Sequence, residues 1–212
     1  MPMLDLFKMS RQWITQCSTP RDPGCTGQWD TGEEALLDLD ANGWVKSLPK
    51  PEDSPIYTGV SAYWAMFPEF KGGRYVVLYE GEGKLSYGFS AKLVESKPGR
   101  DVVDIYPDSN NGAAIIVGLG STDPNKTGNY LRNIRMIPLA YENTYTQQPF
   151  NPDFLDRTRP FQVLRFMDWM NTNNATLANW SQRPLLENAR YTQGKGFPLE
   201  TMLALSNTLD RD

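Results

Sequence analysis

The chain contains no histidine, which removes several classes of catalytic site at once. Ser-His-Asp and Cys-His nucleophile systems, imidazole-liganded zinc or copper sites and the usual general base at neutral pH all need an imidazole. Any reaction would have to use carboxylates, tyrosine, lysine or arginine. We therefore expect no metal ion and no cofactor, and we assign no catalytic residue.

The sequence also lacks a basic field and a long apolar run. Its 21 lysine and arginine residues are scattered among 25 acids, and the net charge of -4 argues against a nucleic-acid partner. The longest apolar stretches, such as residues 113–117, have the length of a strand. A membrane helix needs roughly 20 apolar residues. We expect neither nucleic acid nor a membrane as a partner.

The two cysteines, Cys17 and Cys25, lie in a polar segment rich in turn residues. Pro20, Pro23 and Gly24 supply the turn chemistry that would bring the sulfurs together, so we predict a small disulfide loop. A pair of free thiols in a cytosolic loop is the alternative. A disulfide favours a secreted or periplasmic protein. The opening residues reach an acid at Asp5 and so do not match the charged and apolar pattern expected of a signal peptide.

Residues 35–139 have an all-β pattern, with short segments rich in Val, Ile, Tyr and Trp between Gly, Pro, Asn and Asp clusters. A sheet must cover its apolar face with a second layer, so the pattern predicts a jelly-roll-like β-sandwich. An immunoglobulin-like arrangement is the alternative, although the Cys, Trp and Cys spacing is missing. The predicted strands are residues 44–48, 57–66, 74–80, 84–89, 91–95, 102–106, 113–119 and 130–138.

The flanking segments differ from this central β-region. Residues 1–30 predict a short helix or an extended arm followed by the cysteine loop, and residues 31–145 form the predicted sandwich domain. Residues 146–212 predict a linker and one βα unit, with a short helix at 153–157, a buried strand at 161–167 and an amphipathic helix at 199–209 after Pro198. The apolar set of that last helix is Leu199, Met202, Leu203, Leu205 and Leu209.

Several stretches resemble large bacterial secreted proteins of the cellulose-binding or glycoside-hydrolase-like kind. They are VLRFMDWMNTNN at 163–174, NWSQRP at 179–184, the segment 189–207, and upstream the segments 29–49, 72–83 and 98–105. The resemblance implies a polysaccharide context and the start of a (β/α)8 barrel that continues past Asp212. The catalytic glutamates of such barrels would lie beyond that residue. The insert with Cys17 and Cys25 departs from the pattern.

A strand at 161–167 would place the following loop at the carboxyl end of a barrel, where such enzymes build their sites. The loop offers charged groups, amides and one indole ring for sugar hydroxyls and faces. The alternative is a structural ion pair between Arg165 and Asp168 with Trp169 in the core. The candidate substrate-binding residues are Arg165, Asp168, Trp169, Asn171, Asn173 and Asn174.

Asp38, Asp40 and Asn42 match the first half of a calcium loop, where oxygen ligands alternate. Pro49 stands where that loop needs a bidentate glutamate, so we favour a tight turn at Asn42 and Gly43.

Aromatic residues of the predicted sandwich either form a sugar-stacking surface or fill its core, and the core is the default. Alternation puts Tyr63 and Trp64 on opposite faces. Glu80 and Glu82 lie at a Gly-rich hairpin tip, where a catalytic pair is not expected. The aromatic residues are Tyr57, Tyr63, Trp64, Tyr75, Tyr79, Tyr87 and Tyr106.

The sequence therefore predicts carbohydrate recognition by an ancillary β-sandwich attached to a glycosidase-like barrel. One alternative is the N-terminal part of a glycoside hydrolase, and another is a structural or adhesion domain. The first predicts retention on insoluble glucan by this chain alone, the second hydrolysis only by a longer chain, and the third neither. A barrel segment that does not pack back on the sandwich would favour self-association.

Overall fold

The computed structural model describes residues 1–17, 24–49, 56–108, 110, 112–192 and 195–210. Within these residues, eight strands form two four-stranded antiparallel sheets, with the orders β1-β2-β7-β4 and β5-β6-β3-β8. The strands are β1 (Ile14–Gln16), β2 (Gly59–Met66), β3 (Gly73–Glu80), β4 (Gly83–Phe89), β5 (Ala91–Lys97), β6 (Arg100–Ile105), β7 (Ala113–Thr122) and β8 (Arg132–Pro138).

Alternation along the strands builds a sandwich-like core between the two sheets. In β7, Ile115 and Val117 are buried, whereas Ala114 and Ile116 on the other face are partly exposed. Successive side chains of a strand point to opposite faces, so each sheet buries one face against the other. Both sheets contribute to one buried cluster, which includes Trp64, Val77, Val103, Ile115 and Met136.

Seven of the eight predicted strands are confirmed, with ends that shift by a few residues. The strand predicted at residues 44–48 is wrong. Only a single bridge, between Leu39 and Val45, forms there. The carboxylate of Asp40 accepts hydrogen bonds from the backbone N–H groups of Asn42 and Trp44, both at 2.9 Å, and so bends the chain into a turn.

The N-terminal segment contains a 3-10 helix, Leu6–Met9, and the short strand β1. β1 pairs with β2 from Ile14 opposite Ser61 to Gln16 opposite Gly59. Of the two predictions for this segment, the extended arm therefore describes residues 14–16. The predicted disulfide between Cys17 and Cys25 is confirmed.

The C-terminal segment forms the two predicted helices but not the predicted strand. The helices are α1 (Pro152–Thr158) and α2 (Leu199–Leu209), and Pro198 is the residue before α2. The strand predicted at residues 161–167 is wrong, since no described strand pairs with it and Val163 is 74% exposed. An unpaired strand leaves its backbone groups without ladder hydrogen bonds, so the segment runs as an irregular loop. The start of a barrel is therefore not shown.

A second buried cluster joins the C-terminal segment to the N-terminus. α2 contributes Met202, Leu205 and Leu209, whereas Leu199 and Leu203 of the predicted apolar set are exposed. The other members of the cluster are Met3, Phe150, Leu155, Tyr191 and Phe197.

Hydrogen bonds connect the same two segments. The ammonium of Lys8 donates to the carbonyls of Leu186, at 3.0 Å, and Asn188, while the N–H of Tyr191 donates to the carbonyl of Lys8 at 2.9 Å. No helix in the described part of the chain has the length and apolarity needed to cross a membrane.

Candidate functional site

Three aromatic rings meet on the outer face of the first sheet. The ring centroids of Trp29 and Phe89 are 5.4 Å apart, those of Trp29 and Tyr63 5.6 Å, and those of Tyr63 and Phe89 6.3 Å. Trp29 is 46% exposed and Phe89 63% exposed, whereas Tyr63 is half-buried beneath them. We call these three residues the aromatic face.

Alternation in β2 places Tyr63 on this surface. Its neighbour Trp64 points into the core and is buried, so the prediction that the two rings lie on opposite faces is confirmed. Arg11 supports Tyr63 from the side: its backbone N–H donates to the carbonyl of Tyr63 at 2.9 Å. Its guanidinium lies 5.8 Å from the centre of the tyrosine ring, within reach of a cation–π interaction.

Phe89 reaches the surface through an unfavourable backbone conformation. It is the last residue of β4 and has φ 57, in the left-handed region that bulky side chains avoid. The next residue fixes this corner, because the N–H of Ser90 donates to Ala114 and its carbonyl accepts from Tyr106, both at 2.8 Å. Such strain costs about 1 to 3 kcal/mol and concentrates at functional sites.

Trp29 is held by contacts with β1. The side-chain amide of Gln16 donates to the carbonyl of Trp29 at 3.2 Å, and the N–H of Thr31 donates to the carbonyl of Thr15 at 2.8 Å. The disulfide lies between these two pieces of chain, since Cys17 directly follows β1 and Cys25 precedes Trp29 by four residues. The disulfide therefore limits the movement of the segment that carries the indole.

A shallow groove of about 300 Å³ lies on the same sheet and contains Gln16, Ser61, Ser86 and Gly118. Gly118 keeps it open, because a Cβ at that position would come within 2.5 Å of the hydroxyl oxygen of Ser86 and 3.1 Å of that of Ser61. The hydroxyl of Ser61 donates to the side-chain oxygen of Gln16 at 2.7 Å. The groove therefore places hydroxyl and amide groups on the sheet that carries the aromatic face.

The residues predicted from the barrel resemblance lie elsewhere, in the C-terminal segment. Trp169 is half-buried and stacks on Phe197 with a centroid distance of 4.1 Å and an angle of 13°. Its backbone carbonyl accepts from the N–H of Phe197 at 2.8 Å. The indole therefore packs within the second cluster, as the core alternative describes.

A turn keeps the neighbouring predicted residues together. The N–H of Asn171 donates to the carbonyl of Asp168 at 3.1 Å, and Arg165 contacts the sulfur of Met167 at 3.2 Å. Arg165, Asp168 and Asn173 are exposed, and Asn174 ends a 3-10 helix, Thr172–Asn174. Within the described residues, no ion pair forms between Arg165 and Asp168.

The other candidate residues have structural partners. Tyr57, Trp64 and Tyr75 are buried, Tyr79 and Tyr87 half-buried, and Tyr106 exposed, so the core accounts for only part of the aromatic set. The turn favoured at Asn42 and Gly43 forms, with Gly43 at φ 88. Both carboxylate oxygens of Asp40 accept hydrogen bonds, one of them from the hydroxyl of Tyr130 at 2.8 Å.

The two hairpin acids have different partners. Glu80 forms an ion pair with Arg132 at 3.5 Å, and Glu82 accepts from the side-chain amide of Asn125 at 2.9 Å.

Sequence reasoning found Tyr63 but missed the other two rings of the aromatic face. Trp29 lies outside any strand, and its closeness in sequence to Cys25 was the available signal. The left-handed conformation of Phe89 has no sequence signal, because a glycine or asparagine would be expected at such a position. Comparison with known proteins finds no matching family model, no similar curated protein and no similar solved structure, so the resemblance to glycosidase-like proteins stays a prediction.

Proposed function

We propose that the protein recognises carbohydrate and that the aromatic face binds the polysaccharide chain. The observation that supports this proposal is the contact of three partly exposed rings on one sheet. Large aromatic groups exposed together mark binding surfaces more often than chance placement does. The C–H faces of pyranose rings are apolar and match rigid aromatic rings, which lose little entropy on binding.

The ring orientations indicate which form of polysaccharide fits. The interplanar angles are 81° between Trp29 and Tyr63, 42° between Trp29 and Phe89, and 80° between Tyr63 and Phe89. A flat crystalline surface could stack on only one of these rings at a time. A single chain that is free in solution or in an amorphous region could turn from one ring to the next. We therefore propose a soluble or amorphous polysaccharide as the ligand.

The groove supplies the polar part of the proposed site. Sugar hydroxyls both donate and accept hydrogen bonds, and Ser61, Ser86 and Gln16 offer matching groups. The absence of side chains at Gly118 leaves room for a sugar ring to approach the sheet. In this proposal the rings provide most of the affinity, and the groove selects the positions of the hydroxyls.

The disulfide supports a secreted or periplasmic location, where a protein encounters polysaccharides and where disulfides persist.

The strand pairing supports a jelly-roll type of sandwich. β5 pairs with β6, β4 with β7 and β3 with β8, and these nested antiparallel pairs alternate between the two sheets. The division into residues 1–30, 31–145 and 146–212 stays a prediction.

Affinity electrophoresis tests the proposal. The protein is run through native gels that contain soluble β-glucan, xylan or mannan, and in parallel is mixed with crystalline and amorphous cellulose. We expect retardation by at least one soluble polysaccharide, and a loss of about tenfold in affinity for Trp29→Ala, which corresponds to about 1.4 kcal/mol.

Trp180→Ala is the matched control. Trp180 is a strongly exposed tryptophan that lies 4.4 Å from the guanidinium of Arg183, outside the aromatic face. Its removal should leave retardation unchanged. An absence of retardation with every polysaccharide, or an equal loss in the two tryptophan variants, would contradict the proposal.

An alternative proposal is that the chain is the N-terminal part of a glycoside hydrolase. The exposed apolar side chains of Phe161, Val163 and Met170 support it, because a larger partner surface would cover them. It predicts that a longer chain hydrolyses the polysaccharide whereas this chain alone does not. If this chain instead forms dimers that a Val163→Glu substitution dissociates, a second copy covers the segment.

A further inference from the structure

A second depression lies next to the aromatic face, where β4 passes into β5. It is shallow, with a volume of about 460 Å³, which falls in the range of roughly 300 to 1,000 Å³ that is typical of ligand sites. Phe89 forms part of its wall and also belongs to the aromatic face, so one ring borders both surfaces. We call it the corner depression, and its other lining residues are Ser90, Lys92, Tyr106, Pro107 and Asp108.

The corner depression joins the two sheets. Ser90 is the single residue between the end of β4, in the first sheet, and the start of β5, in the second. Its carbonyl accepts a hydrogen bond from the N–H of Tyr106 at 2.8 Å, and Tyr106 directly follows β6. A tyrosine from the second sheet is therefore fixed beside the corner at which Phe89 stands.

The ring of Tyr106 is exposed and at the same time held in place. Its side chain is 61% exposed, and its hydroxyl donates to Oδ2 of Asp104 at 3.1 Å. The guanidinium of Arg74 donates to the two oxygens of the same carboxylate, at 2.7 and 2.9 Å. A ring that is already tethered loses less conformational entropy when a ligand stacks on it.

The polar groups of the corner depression suit hydroxyls of a neutral ligand. The hydroxyl oxygen of Ser90 accepts from the N–H of Ala114 at 3.2 Å, which leaves its hydrogen to donate. Lys92 contributes one positive charge and Asp108 one negative charge, so the balance favours neither an anionic nor a cationic ligand. Sugar hydroxyls both donate and accept, and so they match this mixed set.

The groove, the aromatic face and the corner depression follow one another along β4. Ser86, Gly88 and Ser90 occupy alternate positions, which span about 13 Å at the rise of a β-strand. Tyr63 and Gly88 are both paired with Ile116, so they lie in one row across the sheet. Gly88 keeps that row low, because a Cβ there would come within 2.7 Å of the side chain of Ile116.

We propose that the ligand is an internal segment of a neutral polysaccharide, which runs from the groove across the aromatic face and over Phe89 to Tyr106. This inference rests on the proposed function of the aromatic face. Both ends of the path are shallow and neither encloses a chain end. Once a chain is bound on one side of Phe89, its contact on the other side is intramolecular, so affinity should rise with chain length.

Isothermal titration calorimetry with β-1,4-linked gluco-, xylo- and manno-oligosaccharides tests the inference. A disaccharide covers one side of Phe89, whereas a hexasaccharide covers both. We expect the hexasaccharide of at least one series to bind at least tenfold more tightly than its disaccharide. Equal affinities for the two lengths would refute the extended path.

Substitutions of Tyr106 locate the far end of the path. Tyr106→Ala should weaken binding of the hexasaccharide about tenfold and leave that of the disaccharide unchanged, as expected when a central aromatic contact is removed. Tyr106→Phe is the matched control, because it keeps the ring, and it should retain hexasaccharide affinity within about twofold. Unchanged hexasaccharide binding by Tyr106→Ala would overturn the inference, as would tighter binding of an oligogalacturonate of the same length.

The two tryptophan variants separate failure of this inference from failure of the proposed function. If Trp29→Ala weakens hexasaccharide binding and Tyr106→Ala does not, the aromatic face stands and only its extension is refuted. If no series binds, or if Trp29→Ala and Trp180→Ala bind the hexasaccharide equally well, the aromatic face itself is refuted and the extension with it.

Discussion

Tyr87 of β4 donates a hydrogen bond from its hydroxyl to Oδ2 of Asp101 in β6 at 2.7 Å, and so connects the two sheets through the core. Asp101 is 2% exposed, and its other carboxylate oxygen has no partner in the described part of the protein. Burial and this hydrogen bond both raise the pKa of Tyr87. The phenol therefore supplies the hydrogen bond that offsets part of the free-energy cost of burying this carboxyl group between two apolar faces.

Tyr87→Phe should lower the free energy of unfolding by about 2 to 4 kcal/mol, because it leaves the buried carboxyl group of Asp101 without the hydrogen bond from this phenol. Urea denaturation measures the change. Tyr106→Phe is the matched control, since Tyr106 is exposed and donates to Asp104 at 3.1 Å on the surface. That variant should change stability by less than about 0.5 kcal/mol. Equal losses in the two variants would show that the inter-sheet hydrogen bond has no special role.

Phe89→Gly should be more stable than Phe89→Ala by about 0.5 to 1 kcal/mol. The backbone at φ 57 is strained for any residue with a Cβ and is unstrained for glycine, and this gain exceeds the larger entropy of glycine in the unfolded chain. Both variants should lose polysaccharide retardation to the same extent, because both remove the ring. An alanine variant as stable as the glycine variant would show that the corner carries no strain.

The variant with Cys17→Ser and Cys25→Ser should be less stable than the wild type by about 2 kcal/mol, since the bond closes a short loop with a sequence separation of 8. Its polysaccharide binding should weaken as the segment that carries Trp29 gains freedom. Thermal unfolding and affinity electrophoresis measure the two effects. Dithiothreitol should reproduce both in the wild type and change neither in the double variant, because the chain has 2 cysteines in all. If the double variant loses binding but dithiothreitol does not weaken binding by the wild type, this account is contradicted.

Stability should rise with pH between about 8 and 10. Burial lowers the pKa of Lys8 from 10.5 to about 8, so the unfolded chain binds more protons than the folded chain in this window. The contribution is about 2 kcal/mol over those two pH units. Above pH 10 the trend reverses, because burial raises the pKa of Tyr75 to about 12 and the unfolded chain then loses protons first.

Lys8→Met should remove most of the increase between pH 8 and pH 10, as followed by urea midpoints. Lys46→Met replaces a more exposed lysine that pairs with Asp38 at 2.6 Å, and it should keep the increase. A slope that survives in the Lys8 variant would mean that another group is responsible.

The β-sandwich could be predicted from the sequence because most of its strands alternate clearly and end at turn residues. β1 was not predicted as a strand because three residues are too few to show the alternation of buried and exposed side chains. Its pairing with β2 also depends on tertiary contact. The strand predicted at residues 161–167 was wrong for a different reason. Their apolar composition suits a buried strand, but burial requires a neighbouring strand that the described residues do not supply.

The candidate sites were harder to predict than the fold. The aromatic face combines residues from a loop, a strand interior and a strained strand end, and only the middle one, Tyr63, follows from alternation. A cavity of about 490 Å³ between the N-terminal segment, β8 and α2 is lined by Asp5, Arg135 and Tyr191, which are far apart in the sequence. Long-range packing creates such sites, and local patterns contain no information about it.

The hydrogen bonds of Lys8 span sequence separations of 178 and 180 residues, and this has a consequence for how the protein matures. A chain grows from its N-terminus on the ribosome, so the 3-10 helix Leu6–Met9 is made long before the carbonyls that receive its ammonium. Lys8 therefore stays hydrated until residues 186–188 have emerged and the long loop has closed. Native assembly of this region therefore waits until the whole of the sandwich has been synthesised, and until then the N-terminal segment is exposed to solvent.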